Sequence, residues 1–130
     1  MRWICLTLAF VVVAVVNAKP QRIAVKGVAM CDKRKLTGAK VELWERDPLS
    51  RDDLLDTDTT SLLGAFSVRG AQVELGRIEP YLIFTHTCNV KRPGCKRISE
   101  YPIPKSKLNG VYDMSFVNLG VLAGKDKERC

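Results

Sequence analysis

Downstream of residue 18, apolar and polar residues alternate with a period of two, and no long run has the period of a helix. The alternating runs are short and are bounded by Gly, Pro and Asp, as strands are. Six runs fit this description: residues 23–31, 39–46, 65–69, 81–87, 96–103 and 111–122. A further short strand fits between residues 70 and 76, and the one candidate helix covers residues 51–55. The pattern predicts an all-β, antiparallel β-sandwich of about seven strands with at most one short helix.

Two of these runs predict local detail. Residues 81–87 are apolar on both faces until their end, which is typical of a central strand. In the last run Tyr112, Met114 and Phe116 share one phase, whereas Val117 and Leu119 continue in the other. A change of phase within a strand indicates a β-bulge, and we expect one there.

The first eighteen residues have the composition of a secretory signal peptide. Arg2 precedes a mostly apolar run over residues 3–16, and Asn17 and Ala18 complete a small-residue cleavage site. The run is shorter than the roughly 20 residues of a spanning helix, so a signal anchor is the less favoured alternative. Cleavage after Ala18 would leave a single domain at residues 19–130, secreted into an oxidising compartment.

Cysteine content predicts two disulfides. One of the five cysteines lies in the predicted signal peptide. The four others are Cys31, Cys88, Cys95 and Cys130. An even number in a secreted domain indicates disulfides, and no C-x-x-C pair favours zinc. A Pro-Gly turn at residues 93–94 can close Cys88 onto Cys95, so we expect Cys88–Cys95 and Cys31–Cys130 among three possible pairings.

The chain is basic, with a formal net charge of +7 at pH 7. Outside the cell, a basic domain meets anionic membrane surfaces and sulfated glycans rather than nucleic acid. The bases form three sets: Lys91, Arg92, Lys96 and Arg97; Lys33, Arg34 and Lys35; and Lys125, Lys127 and Arg129. The first set surrounds the expected Cys88–Cys95 loop and is the candidate anion-binding site. A Cys31–Cys130 bond would join the other two sets, although Asp32, Asp126 and Glu128 dilute them. A plain solvated surface is the alternative throughout.

Two features offer residues for other chemistry. His86 is the single histidine, and no serine lies in a nucleophile motif, so we expect a hydrogen-bonded structural histidine rather than a catalytic base. Residues 52–58 contain four aspartates, which suit calcium as ligands but lack the Gly and Glu spacing of an EF-hand. Capping of the candidate helix and surface solvation are the favoured explanation and calcium is the alternative, so we predict no metal and no cofactor.

Several short segments together identify a resemblance. They include residues 27–31 (Gly-Val-Ala-Met-Cys), 41–47 (Val-Glu-Leu-Trp-Glu-Arg-Asp), 78–82 (Ile-Glu-Pro-Tyr-Leu), 86–88 (His-Thr-Cys) and 128–130 (Glu-Arg-Cys). With these, the chain resembles the transthyretin-like family of secreted nematode proteins. The resemblance implies a transthyretin-like β-sandwich, secretion and the four-cysteine framework.

The resemblance also bears on function. Recognition of phosphatidylserine on dying cells has been proposed for at least one family member, as an extracellular adaptor. Vertebrate transthyretin, a distant relative, carries a hormone in a channel between subunits. The hydroxyisourate hydrolases, also distant, use several histidines and a C-terminal Tyr-Arg-Gly-Ser, and this chain has one histidine and ends in Glu-Arg-Cys.

One turn departs from the family pattern. Where the family usually has an Asp-Gly or Asn-Gly turn, this chain has Ser-Leu-Leu-Gly at residues 61–64. Leu62 and Leu63 at a hairpin tip would be exposed, which indicates a loop that contacts a partner or a membrane; a repacked turn is the alternative.

These observations together favour a secreted, extracellular binding or adaptor protein without catalytic activity. Its partner is an anionic cell surface or glycan, such as phosphatidylserine on a dying cell, or a protein receptor. The candidate contact residues are Lys91, Arg92, Lys96, Arg97, Leu62 and Leu63. The alternative is an oligomeric carrier of a small hydrophobic ligand. The oligomeric state stays open.

Overall fold

A computed structural model describes residues 20–73 and 78–130. Within these residues it contains nine strands and one short 3-10 helix at Lys105–Lys107. The strands are β1 (Gln21–Cys31), β2 (Arg34–Lys35), β3 (Lys40–Glu45), β4 (Asp53–Thr59), β5 (Ala65–Gln72), β6 (Pro80–His86), β7 (Lys96–Pro102), β8 (Val111–Asn118) and β9 (Lys125–Arg129). The all-β prediction is confirmed. No described helix is long and apolar enough to cross a membrane. The predicted signal peptide lies outside the described residues.

Two sheets face each other across the core. In the first, β1 pairs with β5 and β2 along one edge and with β8 along the other. In the second, the strand order is β4-β3-β6-β7-β9, with every pair antiparallel. β6 is therefore a central strand, as its two apolar faces predicted. The β1–β8 pair is parallel and departs from the expected antiparallel arrangement, because the chain crosses from the second sheet to the first after β7.

Alternating inward residues of both sheets fill the core. Ile23, Val25, Val41, Leu43 and Leu82 are at most 1 % exposed. Across the gap between the sheets, the rings of Phe66 and Phe84 meet edge to face with centroids 5.2 Å apart. Burial of these residues stabilises the sandwich, because apolar surface leaves water.

The bulge expected in the last long strand is present in β8. The register with β1 shifts between Lys26 and Val28, opposite Ser115, whose φ is +56°. After the shift Phe116 is 70 % exposed and Val117 is 6 % exposed. The extra residue therefore moves the apolar phase from one face to the other, as the sequence pattern indicated.

The prediction of a helix at residues 51–55 was wrong. This segment leads into strand β4, which pairs with β3 and has a bulge at Leu55, between the pairs Leu43–Asp56 and Trp44–Leu54. Leu55 packs over Gly70, where a Cβ atom would lie 2.7 Å from the Leu55 Cβ. The absence of a side chain at Gly70 thus lets β4 approach the other sheet.

The sequence pattern also missed β2 and β9, which are short and polar. The further strand suggested between residues 70 and 76 overlaps the end of β5, and its second half lies outside the described residues.

Candidate binding surface

The cysteine pairing differs from the expected one. The four cysteines do form two disulfides, but these are Cys31–Cys88 and Cys95–Cys130, with sequence separations of 57 and 35 residues. A turn does form at residues 92–95, where the Cys95 N–H donates to the Arg92 carbonyl at 3.2 Å. The turn does not decide the pairing, because β9 brings Cys130 beside Cys95 and β1 ends beside Cys88. All four cysteine sulfurs are thereby taken up in covalent bonds.

The predicted anion-binding residues separate into two groups. Lys91, Arg92 and Lys96 are exposed, as expected. Arg97 is only 4 % exposed, because β7 places it on the inner face of the sheet. There its guanidinium bonds both oxygens of Asp126, at 3.1 and 2.7 Å. The expectation that Arg97 presents its charge to a partner is therefore corrected: the charge is neutralised inside the protein.

The remaining donors of Arg97 hold two loops in place. Its Nη1 donates to the carbonyl oxygens of Cys88 at 2.8 Å and of Leu119 at 2.7 Å. Burial works against the ionisation of Asp126, but the hydrogen bonds from Arg97 and Ser99 outweigh it and lower the pKa of this carboxyl. A buried ion pair with this many satisfied donors positions the loop that carries Lys91 and Arg92.

His86 belongs to the same buried network. Its Nδ1 accepts the N–H of Cys88 at 3.1 Å, so Nε2 carries the proton and donates to Oγ of Ser99 at 2.9 Å. Ser99 in turn donates to Asp126 at 2.8 Å. Burial, together with the positive charge of Arg97, lowers the pKa of His86 to about 4. These contacts agree with the expected structural role, in which a neutral imidazole links β6 to β7.

Leu62 and Leu63 are 84 % and 64 % exposed. They form the turn between β4 and β5, which belong to different sheets, so they connect two sheets rather than tip a hairpin. Gly64 ends this turn with a φ of +77°, and a Cβ atom there would lie 2.5 Å from the Ala29 carbonyl oxygen. The turn is thus specified by Gly64, while the two leucines point away from the core.

Exposed leucines and bases occupy one end of the sandwich. Lys40 pairs with both Thr59 and Thr85, so the turns after β4 and β6 emerge at the same end. Thr37 donates to the Leu62 carbonyl at 3.2 Å. The Cys31–Cys88 bond joins the segment of residues 32–38, which contains β2, to the loop of residues 89–94. We call this surface the disulfide end; its exposed members are Lys33, Arg34, Lys35, Leu62, Leu63, Lys91 and Arg92.

The aspartates of residues 52–58, which were the candidate calcium ligands, bond to the protein itself. From β4, Asp58 and Asp56 each accept a backbone N–H of β5, from Ser67 and Arg69, both at 2.9 Å. Asp52 accepts the hydroxyl of Tyr81, and this bond lowers the pKa of the carboxyl. Asp56 and Asp58 therefore cover the open edge of the first sheet, a role that neither calcium binding nor helix capping anticipated.

Comparison with known proteins places the chain in a family. A sequence model of the Transthyretin-like family matches residues 26–104. Transthyretin-like protein 16 of Caenorhabditis elegans is 46 % identical over 114 residues, covering 88 % of this chain and 86 % of the relative. The chain belongs to the transthyretin-like family. Transthyretin-like protein 33 of the same nematode is 34 % identical over 125 residues, covering 93 % of this chain and 87 % of the relative. The resemblance inferred from the sequence is thereby confirmed.

In this transthyretin-like protein, the family match ends before β8 and β9 begin. The third basic set lies in β9, with Lys125, Lys127 and Arg129 exposed. The bond expected to join it to Lys33, Arg34 and Lys35 is absent, because Cys31 bonds Cys88 rather than Cys130. Arg129 nevertheless lies at the same end of the sandwich as those bases, since it pairs with Lys96 at the start of β7 and Cys130 bonds Cys95.

Proposed function

We propose that this transthyretin-like protein is a secreted, non-catalytic adaptor that attaches through its disulfide end to anionic membranes, with phosphatidylserine as the headgroup recognised. The observation that carries the proposal is the presence of two exposed leucines beside five exposed bases at one end of a rigid domain. Apolar side chains that project among cations suit a bilayer interface, where they insert while the cations meet the headgroups.

The expected strength is moderate. Each basic residue near an anionic surface contributes roughly 1 kcal/mol, and each buried leucine adds about 1.5–3 kcal/mol. Two nearby acids oppose this attraction, Glu128, which accepts the Lys91 N–H at 2.6 Å, and Asp32, which accepts the Asn89 side chain at 3.1 Å. They keep their charge, but the five exposed bases outnumber them. Binding should therefore persist near physiological salt, where the Debye length is about 8 Å.

The test is co-sedimentation of the oxidised domain with vesicles of phosphatidylcholine alone or with phosphatidylserine added. We expect binding only to the anionic vesicles. Charge reversal in Lys91→Glu/Arg92→Glu should raise the vesicle Kd at least about 10-fold. The matched control is Lys105→Glu/Lys107→Glu, which reverses two exposed bases at the opposite end. Equal affinity for all three proteins would refute the proposal.

The leucines are tested separately, because charge alone can produce weak attraction. Leu62→Ser/Leu63→Ser keeps the net charge and leaves Gly64 to form the turn. We expect weaker binding that also becomes more sensitive to salt, since only the electrostatic part would remain. Unchanged binding would show that the leucines do not insert.

One observation favours the alternative of a hydrophobic-ligand carrier. A groove of about 270 Å³ lies beside β8 and is lined by Tyr101, Tyr112, Met114, Phe116 and Leu122, among others. Its volume is slightly below the range of drug-sized ligand sites. Sedimentation equilibrium that shows a dimer or tetramer, with saturable binding of an apolar fluorescent probe lost in Phe116→Ser, would support a carrier.

A further inference from the structure

Strand β9 sorts a mixed-charge segment into two faces. Its sequence alternates as Lys125, Asp126, Lys127, Glu128 and Arg129. Alternate residues of a strand point to opposite faces, so the two acids turn inward and the three bases turn outward. Asp126 forms an ion pair with Arg97 and accepts a hydrogen bond from Ser99, and Glu128 accepts the Lys91 N–H. The acids that dilute the charge in sequence are thus removed from the outer face.

The outward bases form a ladder with a fourth base from β7. The register of the two strands places Lys96 beside Arg129 and Ile98 beside Lys127. We call Lys96, Lys125, Lys127 and Arg129 the β9 ladder. Alternate residues on one strand lie about 6.8 Å apart, so the three β9 bases extend over roughly 14 Å in a straight row.

Little on this face neutralises the ladder. Glu100 pairs with Lys125 at 3.4 Å and with Arg46 at 3.3 Å, and Glu42 pairs with Lys40 at 3.7 Å. Among the residues that the structure describes, Lys96, Lys127 and Arg129 form no ion pair with a carboxylate. These three cations therefore remain available to an external anion.

The ladder borders a groove, whereas the disulfide end has two projecting leucines. The groove has a volume of about 530 Å³, and Ile83, Thr85 and Ile98 form its floor between the bases. Both isoleucines are half-buried in the sheet and cannot enter a bilayer. A straight row of cations along a shallow groove instead complements a linear polyanion, whose repeated charges lie along one line.

We propose that the β9 ladder binds an extracellular sulfated polysaccharide chain, with sulfate groups at Lys96, Lys127 and Arg129. The proposal rests on the secretion assumed in the proposed function, because such polymers lie outside the cell. It assigns a second surface, on the outer face of β7 and β9, which adjoins the disulfide end at Gly94. The protein can then be held in a sulfated matrix while the disulfide end contacts a membrane. Arg129 offers a sulfate two parallel donors, and the lysines act as point charges.

The experiment measures heparin binding by the oxidised domain, with phosphatidylserine vesicles as a second readout. The ladder variant is Lys127→Gln/Arg129→Gln, and its matched control is Lys33→Gln/Arg34→Gln, which removes the same charge from the disulfide end. We expect the ladder variant to bind heparin about 10- to 30-fold more weakly near 0.15 M salt and the control to lose less than about 3-fold. Both variants replace exposed side chains, so thermal unfolding should confirm that each remains folded.

The two readouts separate the two proposals. If the ladder variant loses heparin and keeps vesicles, the sulfated-polymer site stands, whatever the vesicle affinity of the wild type. Equal losses of heparin affinity in both variants would show that net charge alone attracts the polymer and would overturn the assignment. Loss of vesicle binding in the ladder variant, with heparin binding intact, would mean that this face contacts membranes instead.

Discussion

At the scale of single residues, His86 makes the stability of the protein depend on pH. Its pKa is lowered to about 4 in the folded domain, mainly by burial, whereas a free histidine titrates near 6.5. A lowered folded pKa means that protonation favours unfolding. The stabilisation is complete above about pH 6.5 and is lost as the pH falls from 6.5 towards 4. The imidazolium would also lose the bond that Nδ1 accepts from Cys88.

We therefore expect the free energy of unfolding to fall by about 2 kcal/mol between pH 7 and pH 5. Urea denaturation of the wild type and of His86→Gln at both pH values measures this difference. The variant has no imidazole and should show a much smaller change, even if it is less stable at pH 7. Asp126 does not contribute to this difference. Its pKa is lowered in the folded domain, so the stabilisation that its ionisation provides is lost only below this pH range. Parallel losses in both proteins would contradict the role of His86.

At the scale of elements, the acids of β4 join the two sheets where no backbone ladder does. Asp56 and Asp58 accept the Arg69 and Ser67 amides of β5, which would otherwise lie at an open sheet edge. Gln72 adds a side-chain bond to Asp53 at 2.9 Å. Strand β4 therefore closes one side of the sandwich through its side chains, and this explains why an acidic segment is a strand.

Asp58→Ala should destabilise the domain by about 1–3 kcal/mol, because it leaves the Ser67 N–H without its acceptor. Hydrogen exchange at the Ser67 amide should accelerate, and exchange in the distant strand β7 should change less. Asp58→Asn is the matched control, since its amide oxygen still accepts the bond. A rise in melting temperature on adding calcium that Asp58→Asn abolishes would instead identify a metal site.

At the scale of the whole molecule, the two disulfides connect parts that the strands alone do not. Cys31–Cys88 links the two sheets, and Cys95–Cys130 ties the end of β9 to the start of β7. In the chain-entropy description, loops of 57 and 35 residues give about 4 kcal/mol each as an upper value. The covalent framework therefore holds both proposed binding surfaces, the disulfide end and the β9 ladder.

The pairing can be read directly by non-reducing peptide mapping. Tryptic cleavage after Lys91 separates Cys88 from Cys95, so the peptide containing Cys31 should be recovered linked to the peptide containing Cys88. Replacing Cys95 and Cys130 together by serine should lower the free energy of unfolding by up to about 4 kcal/mol. Recovery of Cys88 linked to Cys95 would contradict the structure.

Local pattern determined much of this protein. The alternation of apolar residues predicted six of the strands, the central place of β6 and the bulge in β8, because side-chain direction in a strand depends on neighbouring positions only. The same local segments identified the transthyretin-like family, and the cysteine count indicated two disulfides. Strands β2, β4 and β9 were not predicted, because polar residues dominate them and they show no alternation of apolar and polar positions.

Tertiary structure decided the features that depend on contacts between residues far apart in the sequence. The cysteine partners follow from β9 lying beside β7, so a nearby turn could not predict them. In sequence, Arg97 is one basic residue among exposed basic neighbours. It is buried because β7 turns its side chain towards Asp126, where pairing offsets the cost of burying its charge. The bases and acids of β9 are mixed in sequence and separate in space, since the pleat sends alternate side chains to opposite faces once that strand has joined a sheet.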